Sequence, residues 1–112
     1  MRYVKILNLP NDPEMLERYK QVHSREHHWR EVREGICQVG IEEMELYILG
    51  NQAVMIIDAP DDLDIDAAFD RLATLPRQAE WEAHVAQMQG CDPNATSDQK
   101  WHMMERFFYL YE

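Results

Sequence analysis

Tyr19 and His23 are the residues whose types and spacing best suit proton-transfer chemistry. They lie four positions apart, so on a helix they would share one face, one turn from each other. Histidine gains and loses a proton near neutral pH, and a neighbouring phenol can orient a hydroxylic ligand or share that proton. From spacing alone, a core tyrosine beside a solvated histidine is the simpler interpretation.

Metal binding is a second chemistry that the sequence allows. His23 and His27 are also four apart, a spacing that can place two zinc ligands on one helix face, but the chain has no HExxH motif and no evident third ligand. A calcium loop counted from Asp62 would need glycine at its sixth position and glutamate at its twelfth, where the chain has Ala67 and Ala73. We therefore predict no metal site.

Trp81 is a candidate for ligand stacking. It shares a helical stripe with Val85 and Met88, which is more typical of core, and His84 follows three residues later. A tryptophan ring can also stack on the C–H face of a sugar, with a proton carrier beside it. The chain has no P-loop, GxGxxG or GxSxG motif, so nucleotide binding and triad chemistry have no support.

Length and charge restrict the classes of protein to which this chain can belong. The chain has 112 residues, which predicts one domain over residues 1–112. It carries 11 Lys and Arg against 21 Asp and Glu, a net charge of −10 that argues against nucleic-acid partners. No apolar run approaches a membrane span, and the start, MRYVKILNLPND, does not read as a signal peptide. The two cysteines, Cys37 and Cys91, are too few for a disulfide framework, so we expect a cytoplasmic protein.

The elements that must position these residues follow the order β-α-β-β-α-α-β. A strand precedes Asn11-Asp12-Pro13, whose cap residues and proline predict a helix start, and Gly35 predicts its end. Gly50-Asn51 predicts a two-residue hairpin turn. The predicted ranges are strand 2–9, helix 13–34, strands 43–49 and 53–57, helix 64–75, a helix from Pro76 to Gly90, a loop over 91–100 and a strand over 101–111.

This order predicts an α+β, ferredoxin-like sandwich, an antiparallel sheet with helices on one face. The other face would be open, and a second subunit usually covers such a face. We therefore expect a homodimer.

The chain resembles the L-rhamnose mutarotase family over nearly its whole length. The shared markers are Tyr19-x-x-x-His23, the strand around Glu45-Leu46-Tyr47-Ile48, Gln78-x-x-Trp81, the Asp92-Pro93-Asn94 loop and Phe108-Tyr109-Leu110. The resemblance implies a dimeric α/β-barrel type of ferredoxin-like fold and an isomerase. Its members interconvert the α and β anomers of a 6-deoxy sugar, without a cofactor.

The resemblance also implies roles for single residues. His23 matches the proton donor, so that general acid/base catalysis would be carried by His23, and Tyr19 and Trp81 match sugar-binding residues. Tyr47, Met44 and Glu80 fall on or beside further binding positions of the family, and complete the predicted substrate-binding set. Glu80 stands where rhamnose enzymes often have the first of two tryptophans, and Met44 where a binding tyrosine is expected. These departures leave L-rhamnose and L-fucose both open as the monosaccharide substrate.

Two other functions share the predicted architecture. One is a dimeric ferredoxin-like monooxygenase, cofactor-free or haem-dependent, and the other is a non-catalytic ligand-binding module. Within the mutarotase hypothesis, the group that works with His23 stays open among Tyr19, His84, Glu80 and a water molecule.

Overall fold

Four antiparallel strands form one sheet whose helices all pack on the same face. The computed structural model describes residues 1–112. Its elements are β1 (Arg2–Asn8), α1 (Pro13–Gln21), α2 (Arg30–Gln38), β2 (Glu43–Leu49), β3 (Gln52–Asp58), α3 (Ile65–Leu72), α4 (Gln78–Gln89), α5 (Ser97–Lys100) and β4 (His102–Met103). The strand order is β2-β3-β1-β4, with every pair antiparallel. The predicted α+β, ferredoxin-like architecture is confirmed.

The two central strands place alternate side chains in the core. In the register of β1 and β3, Leu7 lies opposite Ala53 and Tyr3 opposite Ile57, all on the helix side. Ile57 is fully buried. Because side chains alternate along a strand, the residues between them, such as Val4 and Ile6, point to the opposite face, which carries no helix.

Several sequence signals act as predicted. Asp12 caps α1 by accepting from the backbone N–H of Glu14 at 3.0 Å, and Asp64 caps α3 through the N–H of Ala67 at 3.1 Å. The β2–β3 hairpin turns at Gly50, whose φ of 58° favours glycine. None of the helices has the length and apolar character needed to cross a membrane.

The single helix predicted over 13–34 is wrong, because the chain leaves the helix after Gln21 and begins α2 only at Arg30. The intervening segment contains serine and two adjacent histidines, which are weaker helix formers than Ala or Leu. Ser24 also bonds locally, with its hydroxyl 3.0 Å from Nδ1 of His27. Local bonds of this kind compete with helix continuation.

The prediction that Gly35 ends a helix is wrong. The glycine lies inside α2, where it packs closely against neighbouring side chains. A Cβ atom there would lie 3.3 Å from the side chain of Leu72 and 3.4 Å from that of Leu75. The glycine therefore lets α2 approach α3 closely.

The strand predicted over 101–111 is mostly wrong. Only His102 and Met103 pair with β1, followed by a bond from the N–H of Met104 to the carbonyl of Val4 at 2.7 Å. In this register residue 107 falls opposite Met1, so later residues have no partner strand. The segment predicted as a loop over 91–100 also contains the short helix α5, which begins with a capping box of Thr96 and Gln99.

Candidate active site

A cavity of about 540 Å³ lies between the helices and the β2–β3 side of the sheet. Its volume is in the range of small-molecule binding sites, roughly 300–1,000 Å³. Residues from α1, α2, α4 and the segment between α1 and α2 form one side. The sheet contributes an apolar wall of Met44, Leu46 and Met55.

His23 lies in this cavity with one ring nitrogen already committed. Its Nδ1 is 2.7 Å from the backbone carbonyl oxygen of Tyr19. Since a carbonyl can only accept, Nδ1 carries the proton and donates. In the neutral ring Nε2 is then the acceptor, and it has no partner within the chain.

The surroundings of His23 favour its neutral form. Burial lowers the pKa of His23 below its ordinary value, and the positive charge of Arg33 lowers it further, while the hydrogen bond to the Tyr19 carbonyl acts in the opposite direction. His23 is therefore neutral at pH 7 and available as a base through Nε2.

Tyr19 presents its hydroxyl as a donor. The phenol oxygen accepts a hydrogen bond of 3.1 Å from Nε2 of Gln89, so its own proton is free for another partner. Burial raises the pKa of Tyr19 to about 12. The phenol stays protonated at neutral pH, as a hydrogen-bond donor to a ligand requires.

Aromatic rings surround His23 at edge-to-face distances. The His23 ring centroid lies 4.8 Å from that of Tyr19 and 5.3 Å from that of Trp81. Trp29 continues the wall, 5.4 Å from Trp81 and stacked on His84 at 5.5 Å. The structure thus places the tryptophan that follows the histidine segment beside the one on α4.

Charged and amide groups lie behind this wall on the inner face of α4. Glu82 accepts from Nζ of Lys100 at 2.9 Å and from Nε2 of Gln78 at 2.6 Å. Lys100 also donates to the backbone carbonyl of Glu82 at 2.7 Å. All three side chains are buried, and Gln78 and Glu82 line the cavity.

The structure brings four of the six predicted site residues together. Tyr19, His23, Trp81 and Met44 all line the cavity.

The other two predicted site residues, Tyr47 and Glu80, lie elsewhere. Tyr47 is on the face of the sheet without helices, where its hydroxyl donates to Glu45 at 2.7 Å. Glu80 is exposed and 3.6 Å from Nε of Arg77.

The histidine pair considered for zinc does not lie on one helix, since α1 ends before either residue. His23 is committed to the Tyr19 carbonyl, and His27 is exposed beside Ser24. No group of three or more His, Cys, Asp or Glu side chains is arranged to hold a metal ion.

Sequence reasoning missed Gln89 and Glu82 as cavity-lining residues, and Lys100 as the buried partner of Glu82. The available signal was polarity on a buried stripe, because positions 78, 82 and 89 share a helix face with Trp81 and Val85. A polar residue in such a stripe needs a buried partner. Gln89 finds this partner in Tyr19, and Glu82 finds it in Lys100 and Gln78.

Comparison with known proteins identifies the family. A family model described as L-rhamnose mutarotase matches residues 2–110. The chain belongs to this family. The mutarotase family is a family of isomerase-class enzymes, and the resemblance predicted from the sequence is confirmed.

The chain matches two relatives over different shares of their length. An L-fucose mutarotase from Xanthomonas campestris pv. campestris is 32% identical over 111 residues, which cover 99% of this chain and 89% of that protein. A UPF0734 protein from Dictyostelium discoideum is 36% identical over 81 residues, 71% of this chain. The match spans 63% of the length of the Dictyostelium protein.

Solved structures share the fold of this mutarotase-family chain. An L-rhamnose mutarotase from Formosa agariphila superposes with a TM-score of 0.72 at 18% identity, covering 98% of both chains. Tetracenomycin F2 cyclase from Streptomyces glaucescens, a polyketide cyclase, superposes with a TM-score of 0.52 at 18% identity over 97% of this chain and 95% of the cyclase. Since proteins of different activity share the fold, function must be argued from the site.

Proposed function

We propose that this protein is a mutarotase that interconverts the α and β anomers of a 6-deoxy-L-hexose, either L-rhamnose or L-fucose. The proposal rests on the position of His23, which lines the cavity as a neutral ring. Its Nδ1 is hydrogen-bonded to the Tyr19 carbonyl, and its Nε2 has no partner in the chain. Family membership favours this function over the monooxygenase and binding-module alternatives.

The reaction moves one proton between two oxygens of the same carbon. Nε2 of His23 takes the proton of the anomeric hydroxyl while the bond from the anomeric carbon to the ring oxygen breaks, giving the open-chain aldehyde. The imidazolium then returns that proton to the released oxygen. After rotation about the neighbouring C–C bond, the same steps in reverse close the ring on the other face, so the protein ends unchanged.

Other cavity residues suit a deoxy sugar. The Tyr19 phenol is a donor for the ring oxygen as negative charge grows there. Trp81 offers a flat face for the C–H side of the ring. Met44, Leu46 and Met55 form an apolar surface for the methyl group that a 6-deoxy sugar carries in place of a hydroxymethyl.

NMR saturation exchange between the anomers of L-rhamnose and L-fucose tests the proposal directly. Wild-type protein should accelerate exchange between the anomers of at least one sugar. In His23→Ala the rate enhancement should fall about 10²–10⁴-fold, the usual contribution of a positioned acid/base group. His27→Ala is the matched control, because His27 is exposed and bonds only to Ser24. An unchanged rate in His23→Ala would refute the role of His23.

We also propose that the protein is a homodimer. Beyond β4, five consecutive apolar or aromatic residues are exposed, with Phe107 93% and Tyr111 82% accessible. The helix-free face of the sheet presents a central stripe of valine and isoleucine from β1 and β3. A second copy of the chain offers the matching tail and sheet face, and exposed apolar surface of this kind is typical of association sites. Sedimentation equilibrium should show a dimer that Phe107→Ser with Phe108→Ser weakens.

We place the protein in the cytoplasm, as its sequence leads us to expect. Both cysteines are free thiols, Cys37 at the surface and Cys91 half-buried. Unpaired cysteines suit a reducing compartment.

A further inference from the structure

We propose that Gln89 is a specificity-determining residue of the sugar site, which aims the Tyr19 proton into the cavity and accepts a hydrogen bond from a sugar hydroxyl. The inference rests on the proposed mutarotase function. Gln89 lies at the C-terminal end of α4, is 3% exposed and lines the same cavity as Tyr19.

The two ends of the Gln89 amide have different partners. Nε2 donates to the Tyr19 hydroxyl at 3.1 Å. Oε1 is buried and has no hydrogen-bond partner. Buried amide oxygens are normally paired, so an unpaired one needs an explanation. A hydroxyl-bearing ligand in the cavity supplies the missing donor.

The bond from Gln89 also sets the direction of the Tyr19 hydroxyl. Because the phenol oxygen already accepts from an amide nitrogen, its proton must point elsewhere. Tyr19 and Gln89 therefore present a donor and an acceptor side by side. This pair complements two neighbouring oxygens of a sugar, one accepting and one donating, and discriminates against a sugar that lacks the donating hydroxyl.

Gln78, the other buried glutamine with an unpartnered Oε1, is not part of this pair. It lies eleven residues earlier on α4, a rise of about 16 Å along the helix axis. Its amide nitrogen is fixed on the Glu82 carboxylate, which can only accept. Its amide faces a different part of the cavity.

The test compares two substitutions with opposite effects on the Tyr19 proton. Gln89→Met removes the acceptor but leaves the phenol free to donate, so KM should rise about three- to tenfold, the range for one hydrogen bond. Gln89→Glu keeps the size but replaces the amide donor with a carboxylate, which can only accept and therefore draws the hydrogen bond of the Tyr19 hydroxyl away from the sugar. Its kcat/KM should fall about tenfold below that of Gln89→Met. Gln87→Met, on the exposed side of α4, is the matched control and should behave as wild type.

Deoxy sugars locate the hydroxyl that Gln89 contacts. Among analogues lacking the hydroxyl at C2, C3 or C4, one should bind wild type about three- to tenfold more weakly, yet bind wild type and Gln89→Met equally. A purely structural role of Gln89 predicts that the near-isosteric Gln89→Glu performs at least as well as Gln89→Met, and that outcome would overturn the inference.

The experiment separates this inference from the proposed function. If wild type accelerates no sugar, the mutarotase function fails, and the same comparison is made on Kd from tryptophan fluorescence. The same order of variants in Kd supports the Gln89 role, and equal Kd values refute it. If Gln89→Met does not fold, Gln89→Asn, one methylene shorter, takes its place with the same expected loss.

Discussion

Lys100→Met should destabilise the protein strongly. The Lys100 side chain has no solvent exposure, and that of Glu82 is 9% exposed. The substitution removes two hydrogen bonds, one of 2.9 Å to the carboxylate and one of 2.7 Å to the Glu82 carbonyl. It leaves the buried carboxylate with the Gln78 amide as its remaining donor.

The expected loss follows from that uncompensated charge. Removing one partner of a buried ion pair typically costs about 3–5 kcal/mol. For a chain of 112 residues, the entropy of unfolding is about 0.24 kcal/mol/K near the transition, so Tm should fall by about 13–21 °C. The loss is a large part of the roughly 5–15 kcal/mol that holds a typical domain folded.

Urea unfolding of three variants tests this reasoning. Lys20→Met is the matched control, because its partner Glu17 is 3.0 Å away but both side chains are more than half exposed; its cost should stay below about 1 kcal/mol. Adding Glu82→Gln to Lys100→Met removes the stranded charge and keeps an acceptor for Gln78, so most of the lost stability should return. Equal losses in Lys100→Met and Lys20→Met, or no recovery in the double variant, would refute the argument.

Three further predictions concern the site and the chain turns. With decreasing pH, kcat/KM should fall as His23 becomes protonated; because burial lowers the pKa of His23 below its ordinary value, a pH–rate profile should be flat near pH 7 and bend only in more acidic buffer, and a bend above pH 7 would contradict it. Tyr19→Phe should reduce kcat/KM about tenfold in the anomer-exchange assay through loss of one donor, while far-UV circular dichroism stays unchanged; full activity would exclude the donor role. Gly50→Ala and Gly90→Ala both place a side chain at positive φ, but only at Gly90 does the new Cβ meet Pro10, at 2.8 Å. Thermal unfolding should therefore show about 1 kcal/mol lost at Gly50 and about 1–3 kcal/mol more at Gly90; equal losses would mean that the contact with Pro10 relaxes freely.

Local signals predict where several elements of this fold begin or end. The caps at Asp12 and Asp64, the Gly50 turn and the end of α4 at Gly90 depend on backbone geometry that a few adjacent residues determine. The terminal strand could not be predicted from its aromatic residues, because strand pairing requires a neighbour. The neighbour is β1, which begins at Arg2, opposite residue 106, so the residues beyond 106 have no strand to pair with.

The candidate site could be predicted only for residues that are close together in the sequence or that the family resemblance marks. Tyr19 lies in the last turn of α1 and His23 lies two residues beyond its end, and the family resemblance points to Trp81 on α4. Gln89 reaches Tyr19 across 70 positions of sequence. Such a contact depends on the packing of α1 against α4, which spacing within either helix does not reveal.

The interruption of the predicted long helix accounts for the anchoring and the tautomer of His23. In a continuous helix the N–H of His23 would bond to the carbonyl of Tyr19, four residues earlier. Here that N–H bonds to the carbonyl of Lys20 at 3.2 Å, so the Tyr19 carbonyl is left without a backbone donor. The imidazole Nδ1 takes its place at 2.7 Å. The bond that ends the helix thus also fixes the tautomer, because a carbonyl can accept only from a protonated Nδ1. The same departure from helix lets the chain turn back so that Trp29 packs beside Trp81. An unbroken helix with an identical Tyr19-x-x-x-His23 spacing would lack both the anchored histidine and the second aromatic wall, and would therefore have the motif without the site.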